Sequence, residues 1–195
     1  MIAIIDYGAG NVASVANAVS RLGSPFIITS VIDDLDKAEK IIFPGVGEAS
    51  FAVNRLQKSG LITYLQNIKK PILGICLGMQ LLCDHSEEGN VDGLGIFPIN
   101  VVRFKDSETK VPHIGWNTVH YKSGNKLFKG IKQDEFFYFA NSYYVPVGKS
   151  TTAVTENKID FSASLEKDNY FGVQFHPEKS SVSGLKVLQN FIEYL

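Results

Sequence analysis

The sequence predicts an α/β fold, a three-layer sandwich with a mostly parallel central sheet and an antiparallel C-terminal extension. In the first half of the chain, short apolar runs alternate with helical patterns, which is typical of parallel strands joined by crossover helices. After Gly95, strand-like segments follow one another with turn residues between them. A last segment, 182–195, has apolar residues at helical spacing. The length of 195 residues fits a single domain over 1–195.

The first half is predicted to alternate strands and helices. The expected strands are 2–5, 26–28, 41–43 and 71–75, and the expected helices are 12–22, 52–65 and 79–82. Gly23 directly follows the first helical pattern, and glycine commonly ends a helix.

The second half is predicted to be mainly strands and one helix. The expected strands are 99–104, 117–121, 135–144, 150–155, 161–165 and 171–175. The closing helix carries one apolar stripe, formed by Leu185, Leu188, Phe191, Ile192 and Leu195. We find no internal repeat, low-complexity tract or linker, which favours one continuous unit.

Composition and charge exclude several functional classes. The chain is 45% hydrophobic and 20% charged, with a net charge of -1, so its charge favours neither nucleic acid nor an anionic membrane as a partner. No apolar stretch reaches the roughly 18 residues that span a bilayer, and the N-terminus lacks the basic region of a signal peptide. We therefore expect a cytoplasmic protein without a membrane segment.

The two cysteines, Cys76 and Cys83, are not spaced as a disulfide framework. We expect Cys83 to be a core residue on the helix that follows Cys76. A reducing compartment would keep both thiols free. The four histidines lack metal-ligand spacing with the cysteines or with each other, so we expect neither a metal nor a cofactor.

Residues 8–13 form a glycine-rich turn after the first strand, which is a weak match to a nucleotide-binding turn. The third glycine of a dinucleotide fingerprint is missing, and no acidic residue ends the second strand. Asn11 as the N-cap of the following helix explains the turn equally well.

Cys76 has the pattern of a catalytic nucleophile. It lies between the apolar strand 71–75 and the helix-forming residues 79–82, and Gly74 and Gly78 flank it. Glycines permit a tight strand-to-helix turn, and the start of a helix favours the negatively charged thiolate. This is the pattern of the nucleophile elbow of hydrolases, with cysteine in place of serine. A small buried hydrophobe is the alternative for Cys76 considered alone.

The segment His176-Pro177-Glu178 supplies the other groups that a cysteine nucleophile needs. His176 can accept the thiol proton and later donate it to a leaving amine. In an extended segment Glu178 would lie on the same side as His176 and could accept a hydrogen bond from its second ring nitrogen. A polar loop is the alternative, but the two patterns together favour an enzyme.

Residues 44–47, Pro-Gly-Val-Gly, end an apolar strand at the level where an open parallel sheet binds ligands. Gly45 and Gly47, on either side of Val46, could let the backbone direct N–H groups toward a developing oxyanion. The amide of Leu77, directly after the nucleophile, is the expected second donor. A plain turn explains residues 44–47 as well, so the local pattern leaves both readings open.

These motifs together resemble the class I, or triad, glutamine amidotransferases. The residues that carry the resemblance are Pro-Gly-Val-Gly at 44–47, Gly-Ile-Cys-Leu-Gly-Met-Gln at 74–80 and Phe-His-Pro-Glu-Lys-Ser at 175–180. The segment Val-Pro-His-Ile-Gly-Trp-Asn at 111–117 is most similar to the glutaminase subunits of imidazole glycerol phosphate synthase, from histidine biosynthesis. The resemblance runs from strand 2–5 to the last helix.

The resemblance implies hydrolysis of L-glutamine to glutamate and ammonia through a thioester on Cys76. By motif it assigns Cys76, His176 and Glu178 as the triad, Val46, Gly47 and Leu77 to the oxyanion site, and Gln80, Glu88, Asn141, Ser142 and Tyr143 to glutamine binding. Without the resemblance, a solvated loop is the simpler interpretation of Glu88 in Ser86-Glu87-Glu88-Gly89.

The resemblance also implies a partner, a (β/α)₈-barrel cyclase that forms a heterodimer with this chain and receives the ammonia. The residues expected at this contact are His113, Trp116, Asn117, Tyr138 and Lys179. Trp116 is the only tryptophan, and tryptophans are frequent at interface hot spots. A core tryptophan is the alternative.

Three other functions stay open at this point. A paralogous glutaminase subunit could supply ammonia to a different synthase, for example one that amidates a sugar. A cysteine peptidase or a peptidase-like chaperone could use a similar sheet without a glutamine pocket. A non-catalytic binding module could keep the fold, although all three triad residue types are present.

Overall fold

The structure is a computed structural model that describes residues 1–8, 10–105, 107 and 109–195. The helices are α1 (Val12–Arg21), α2 (Ile32–Lys37), α3 (Ala49–Lys58), α4 (Leu61–Asn67), α5 (Leu77–Leu81) and α6 (Ser181–Tyr194). The strands are β1 (Ile2–Ile5), β2 (Phe26–Thr29), β3 (Lys40–Gly45), β4 (Ile72–Cys76), β5 (Cys83–Ser86), β6 (Val91–Asp92), β7 (Phe97–Arg103), β8 (His113–Tyr121), β9 (Glu135–Asn141), β10 (Tyr143–Tyr144), β11 (Thr151–Glu156), β12 (Asp160–Lys167) and β13 (Tyr170–Val173). Two 3₁₀ turns cover Lys126–Phe128 and Pro177–Lys179.

The main sheet has a parallel half and an antiparallel half. Its strand order is β2-β1-β3-β4-β13-β12-β11-β8-β9, with parallel pairing from β2 to β13 and antiparallel pairing from β13 to β9. A smaller sheet has the order β10-β7-β5-β6. The predicted fold class is therefore confirmed, and the sheet is mixed because the strands of the second half join its far end.

Alternating side chains of the central strands separate two buried layers. In β1, Ile2 and Ile4 pack into one hydrophobic cluster, and Ala3 and Ile5 pack into the other, as the two-residue period of a strand requires. Helices α1 and α6 cover the first cluster. Helices α2 to α5 and the smaller sheet cover the second. The predicted apolar stripe of α6 faces the first cluster.

Two predicted elements were wrong because each is interrupted. The helix expected over 52–65 is two helices, α3 and α4, which separate at Gly60, where φ is +72°. The strand expected over 135–144 ends at Asn141, and the chain then pairs with β7 of the smaller sheet as β10. A change of sheet is a tertiary event that a local pattern does not reveal.

Three short elements, α2, β5 and β6, were missed by the sequence patterns. Strand β5 reads Cys-Asp-His-Ser, which lacks the apolar alternation of a half-buried strand. Cys83 is buried as predicted, but it begins β5 and is not on a helix, because α5 already ends at Leu81.

The N-terminal end of α1 also differs from the prediction. Asn11 precedes the helix, but its side chain makes no capping hydrogen bond. Ala9 of the same turn lies outside the described residues. Within the part of the chain that the structure describes, no helix has the length and hydropathy needed to cross a membrane.

The entry of α5 packs directly on the backbone of β3 and β4. A Cβ atom added to Gly74 would lie 2.7 Å from the Gly78 carbonyl oxygen, and one added to Gly45 would lie 2.6 Å from the Gly78 nitrogen. A Cβ on Gly78 itself would overlap the carbonyl oxygen of Phe43. Only glycine fits at these three positions, so the strand-to-helix turn depends on backbone-to-backbone contact.

We predict that Gly78→Ala lowers the free energy of unfolding by about 2–4 kcal/mol, because the overlap lies with rigid backbone. Gly23→Ala is the matched control, since Gly23 has φ +70° and nothing among the described residues lies within 4 Å of an added Cβ. Its cost should be only the backbone strain of about 1 kcal/mol. Urea denaturation of both variants measures the difference, and equal costs would contradict the packing argument.

Candidate active site

Cys76 ends β4 and directly precedes α5. Its backbone has φ +53° and ψ −112°, a conformation that residues other than glycine rarely adopt. The turn places the thiol at the carboxyl edge of the main sheet, where the first N–H groups of α5 point. The strand-to-helix elbow that the sequence predicts is therefore present at this cysteine.

His176 and Glu178 lie beside Cys76 because β13 pairs with β4. The register Val173 to Ile75 brings the residues that follow β13 level with the elbow. The Nδ1 atom of His176 is 2.9 Å from Oε1 of Glu178, and both side chains are buried. Cys76 lies close enough to His176 to contribute to the raised pKa of its imidazole. These contacts form a candidate Cys-His-Glu triad.

The backbone route to this contact differs from the extended segment that we predicted. Pro177–Lys179 is a 3₁₀ turn, with the proline at its first position. The N–H of Lys179 and the hydroxyl of Ser180 both donate to the His176 carbonyl, which fixes the turn. The side chains of His176 and Glu178 therefore meet across a turn and do not share one face of a strand.

The buried imidazole of His176 is stabilised in its protonated form. Burial lowers its pKa, but the hydrogen bonds and charges of Cys76 and Glu178 outweigh burial and raise the pKa of His176 to about 10. The Oε2 atom of Glu178 has no hydrogen-bond partner among the described residues. The charge of the carboxylate is therefore balanced chiefly by the imidazolium.

The predicted oxyanion residues lie next to the nucleophile. In the parallel pairing of β3 with β4, Gly45 is level with Cys76, so Val46 and Gly47 lie directly beyond the thiol. Gly47 has φ +96°, which glycine adopts without strain. Leu77 begins α5, so its N–H is free of an intrahelical partner. These backbone groups can stabilise negative charge on a carbonyl oxygen.

One cavity of about 270 Å³ joins all of these groups. Its lining includes the predicted residues Val46, Gly47, Cys76, Leu77, Gln80, Glu88, Asn141, Ser142, Tyr143, His176 and Lys179, together with Ala140. The structure therefore brings together the predicted nucleophile, base, oxyanion donors and glutamine-binding residues. Glu178 lies behind His176 and does not line the cavity.

Comparison with known proteins decides the family. The sequence profile of the glutamine amidotransferase class-I family matches residues 3–194. The chain belongs to this family. An "Imidazole glycerol phosphate synthase subunit HisH" from Bacteroides fragilis is 51% identical over 194 residues, which cover 98% of each chain. A protein of the same name from Buchnera aphidicola is 45% identical over 193 residues, again 98% of each chain.

Solved structures show the same fold as this amidotransferase. A structure described as a glutamine amidotransferase superposes with a TM-score of 0.77 at 15% identity, covering 99% of this chain and 98% of that chain. PurLQS from Thermotoga maritima superposes with a TM-score of 0.71 at 17% identity, covering 99% and 97%. At this level of identity the likeness establishes the fold alone.

Glu88 lies in the turn between β5 and β6, and its partly buried side chain lines the cavity of the amidotransferase. Its Oε2 atom accepts a hydrogen bond of 3.1 Å from the N–H of Ala49 at the start of α3. Burial is the main cause that raises the pKa of Glu88 above its ordinary value, and this hydrogen bond opposes it. The carboxylate is therefore held in place at the edge of the cavity, where a cationic group could neutralise it.

The side chains of Gln80 and Asn141 are fixed by one carbonyl group. Each donates a 2.9 Å hydrogen bond to the main-chain oxygen of Tyr143. The Oδ1 atom of Asn141 is buried and has no partner among the described residues, which leaves an acceptor beside the cavity. The change of sheet at Ser142 thus turns polar main-chain groups toward the site.

The sequence patterns assigned no role to Gln174, which directly precedes the motif at 175–180. The Nε2 atom of Gln174 lies 3.6 Å from Sγ of Cys76. The signal was available, because Gln174 stands two residues before His176 in a segment that the sequence predicts to be a strand. Lys179, predicted only as a partner contact, lines the cavity as well.

An exposed aromatic face lies beside the cavity on the β8–β9 hairpin; it consists of Ile114, Trp116, Phe136 and Tyr138. Trp116 is paired with Tyr138 across the strands, and the two rings are arranged edge to face with their centroids 6.1 Å apart. The exposed fractions of Ile114, Trp116 and Phe136 are 62%, 52% and 53%. Sequence reasoning missed Ile114 and Phe136, which the two-residue period of each strand places beside Trp116 and Tyr138.

Of the five predicted partner contacts, Trp116 and Tyr138 belong to the aromatic face and Lys179 lies next to it, 5.8 Å over the Tyr138 ring. His113 and Asn117 are on the opposite side of β8, because they alternate with Trp116. The ring of His113 contacts Phe139, and Asn117 donates to the Glu156 carbonyl. The structure does not bring these two residues to the aromatic face.

No three His, Cys, Asp or Glu side chains in ranges 1–8, 10–105, 107 and 109–195 are arranged to hold a metal ion.

We predict that Glu178→Gln lowers the rate of glutamine hydrolysis by about two to four orders of magnitude, since the neutral amide no longer stabilises the imidazolium. The variant should also change the pH dependence of stability. In the folded protein the pKa of His176 is about 10 instead of 6.5, so protonation stabilises the fold below pH 6.5 and this contribution is lost as the pH rises toward 10.

The stability difference between wild type and Glu178→Gln should therefore be largest below pH 6.5 and shrink toward pH 10. Urea denaturation at several pH values measures it. Glu193→Gln on the exposed side of α6 is the control and should change neither rate nor pH profile. A Glu178→Gln enzyme with wild-type rates would remove Glu178 from the triad.

Proposed function

We propose that this chain is the glutaminase subunit of imidazole glycerol phosphate synthase and that it hydrolyses L-glutamine to glutamate and ammonia. The observation that carries the proposal is the buried contact series from Cys76 through His176 to Glu178, set at the wall of a cavity beside free backbone N–H groups. Family membership and 51% identity to a HisH subunit over 98% of the chain support the choice of substrate and pathway.

In the first step, the thiolate of Cys76 attacks the side-chain amide carbon of glutamine. The carbonyl electron pair moves to the oxygen, where the N–H groups of Leu77 and the Val46–Gly47 segment stabilise the negative charge. When the tetrahedral intermediate collapses, the C–N bond breaks and the imidazolium of His176 donates its proton to the leaving nitrogen. The products are ammonia and a γ-glutamyl thioester on Cys76.

In the second step, water hydrolyses the thioester. Neutral His176 accepts a proton from the water, whose oxygen attacks the thioester carbon. The C–S bond then breaks and leaves the thiolate of Cys76 beside the imidazolium of His176. Glutamate departs, and the enzyme returns to its starting ion pair. Glu178 holds one ring orientation of His176 in both steps.

The polar groups of the cavity suit the α-amino acid end of glutamine. Glu88 can accept a hydrogen bond from the α-ammonium group, and its charge is balanced when that cation binds. The unpartnered Oδ1 atom of Asn141 offers a further acceptor. Main-chain groups of Ser142 and Tyr143 complete the polar wall, and Gln80 contributes its side chain.

The partner is a (β/α)₈-barrel cyclase that docks over the mouth of the cavity as the second member of a heterodimer. The aromatic face and Lys179 form the proposed contact, with His113 and Asn117 supporting the strand behind it. Most ammonia released into water at neutral pH would be protonated and non-nucleophilic, so a docked acceptor enzyme is needed to use it. A reducing compartment such as the cytoplasm would keep Cys76 free.

The deciding experiment measures glutamate release by the purified chain in three states: alone, with the barrel cyclase, and with the cyclase plus its nucleotide substrate. We expect low activity of the chain alone and a rise of at least tenfold with partner and nucleotide. The physical reason is that docking of the partner closes the cavity over the substrate and completes the catalytic arrangement. Cys76→Ala should abolish activity in all three states.

The other outcomes separate the remaining functions. Glutamine hydrolysis that is indifferent to this cyclase would keep the chemistry and assign the chain to another acceptor synthase. Peptide hydrolysis without glutamine hydrolysis would favour a peptidase. Absence of any hydrolysis would favour a binding module.

We predict that Trp116→Ala raises the Kd of the cyclase complex about 10- to 30-fold, because an exposed aromatic anchor at the centre of the face would be lost. Ile28→Ala is the control, since this exposed side chain lies on β2 at the opposite end of the main sheet. Surface plasmon resonance with immobilised cyclase measures both. Equal effects of the two substitutions would place the interface elsewhere.

A further inference from the structure

Gln174 is a fully buried amide that contacts the nucleophile from the side away from solvent. Its main-chain N–H donates to Ala163, and its side-chain Nε2 lies 3.6 Å from Sγ of Cys76, within hydrogen-bond range for sulfur. We propose that Gln174 is a further catalytic residue, which donates a hydrogen bond to the Cys76 thiolate and keeps it reactive. The proposal rests on the glutaminase function proposed above.

The direction of this hydrogen bond is set by a carbonyl group at the far end of the same network. The main-chain oxygen of Tyr143 can only accept, so the atom of Gln80 that faces it at 2.9 Å must be the NH₂ group. That NH₂ group also donates to the atom of Gln174 that lies 2.9 Å away, which must therefore be Oε1. The NH₂ group of Gln174 is then the one that faces sulfur.

The sheet register makes this contact independent of any flexible segment. Val173 is level with Ile75 in the pairing of β13 with β4, so the next residues, Gln174 and Cys76, are neighbours across the two strands. His176 follows two residues later and reaches the same sulfur. The thiolate is therefore held between a cation and a neutral donor.

A donor at this position favours the charged form of sulfur. A hydrogen bond to an ionised group stabilises that form more than a bond between neutral groups does. An amide does so without adding a second cation, so it does not compete with His176 for Glu178 or raise the cost of protonating the imidazole.

The network also defines what Gln80 offers to the substrate. Both N–H bonds of its side-chain amide are used, one on Tyr143 and one on Gln174. Only its Oε1 atom remains for the cavity, so Gln80 presents an acceptor there. Gln174 thus couples the nucleophile to the wall of the glutamine site through a single amide.

A purely structural role for Gln174, as a brace for Gln80, makes the opposite prediction for one pair of variants. Gln174→Glu has nearly the same shape and still accepts from Gln80, but it places a carboxylate oxygen against sulfur. Gln174→Met has similar length, loses the bond to Gln80 and leaves sulfur beside an uncharged group. If Gln174 only supports Gln80, Gln174→Glu should be more active than Gln174→Met. If Gln174 donates to the thiolate, Gln174→Met should be more active than Gln174→Glu.

The test is the pH profile of Cys76 alkylation by iodoacetamide, together with kcat and KM for glutamine in the cyclase complex. For Gln174→Met we expect the midpoint of alkylation to rise by about one pH unit and kcat to fall about tenfold, with KM changed less than kcat. For Gln174→Glu we expect a rise of about two units or more, since two negative groups then share one site.

The controls separate this effect from general damage. Gln66→Met and Gln66→Glu make the same chemical changes on α4, where Gln66 donates to the Leu94 carbonyl, and both should keep wild-type profiles. Cys76→Ala gives the background from the buried Cys83. Thermal unfolding of each variant shows whether it is folded at the assay temperature.

The outcomes are distinct from those for the proposed function. Unchanged alkylation midpoints in both Gln174 variants, or a glutamate variant more active than the methionine variant, would overturn the role of Gln174 even if the wild type hydrolyses glutamine. The alkylation midpoints also test the role if the wild type has no glutaminase activity.

A wild-type measurement covers the case in which neither variant folds. The side-chain NH₂ signal of Gln174 in ¹⁵N-labelled protein should shift with the same pH midpoint as alkylation of Cys76. A flat signal across that midpoint would overturn the proposal without any substitution.

Discussion

The contact between the entry of α5 and the backbone of β3 and β4 is the constraint on which the site depends. Gly45, Gly74 and Gly78 allow backbone to meet backbone, and Cys76 adopts its positive φ within this turn at the strand end. The same contact holds Gly45 level with Cys76, so the residues after β3 lie beside the thiol. A wider turn would separate the nucleophile from both its oxyanion donors and the sheet. Stability and chemistry therefore share one packing requirement.

The second organising feature is the transfer of the chain from the main sheet to the smaller one at Ser142. β9 ends at Asn141, and β10 pairs with β7 immediately afterwards. At this break the Tyr143 carbonyl accepts hydrogen bonds from Gln80 and Asn141. In a continuous strand of the main sheet, the same carbonyl would pair with a neighbouring strand. It also lets one hairpin serve two surfaces: its end forms the cavity wall near Ala140, and its outer side carries the aromatic face. The proposed catalytic and partner surfaces are thereby neighbours along the same strand.

Local patterns in the sequence predicted the fold class and the triad, whereas the residues expected to bind glutamine came from the family resemblance. The glycines around Cys76 and the spacing of His176 and Glu178 are readable without tertiary information. What these patterns missed depends on pairing in space. The orientation of His113 and Asn117 away from Trp116 follows from the strand period, but only once the extent of β8 is known. The 3₁₀ turn after His176 is fixed by Ser180, and the role of Gln174 requires the register of β13 against β4.

The order of groups across the site explains why a neutral amide stands next to sulfur. In the proposed resting state, from the interior outward, the carboxylate of Glu178 faces the imidazolium of His176, and the imidazolium faces the thiolate of Cys76. In that state the series contains two negative groups and one cation, so one negative charge is left over, and in a buried site dipoles can stabilise that charge. The Gln174 amide, the first N–H groups of α5 and the backbone beyond β3 supply those dipoles. When the thiolate attacks, its charge moves to the substrate oxygen, and the N–H groups near Leu77 and Gly47 already lie on that path. The fold thus provides hydrogen-bond donors at both ends of the charge transfer, at the nucleophile and at the substrate oxygen.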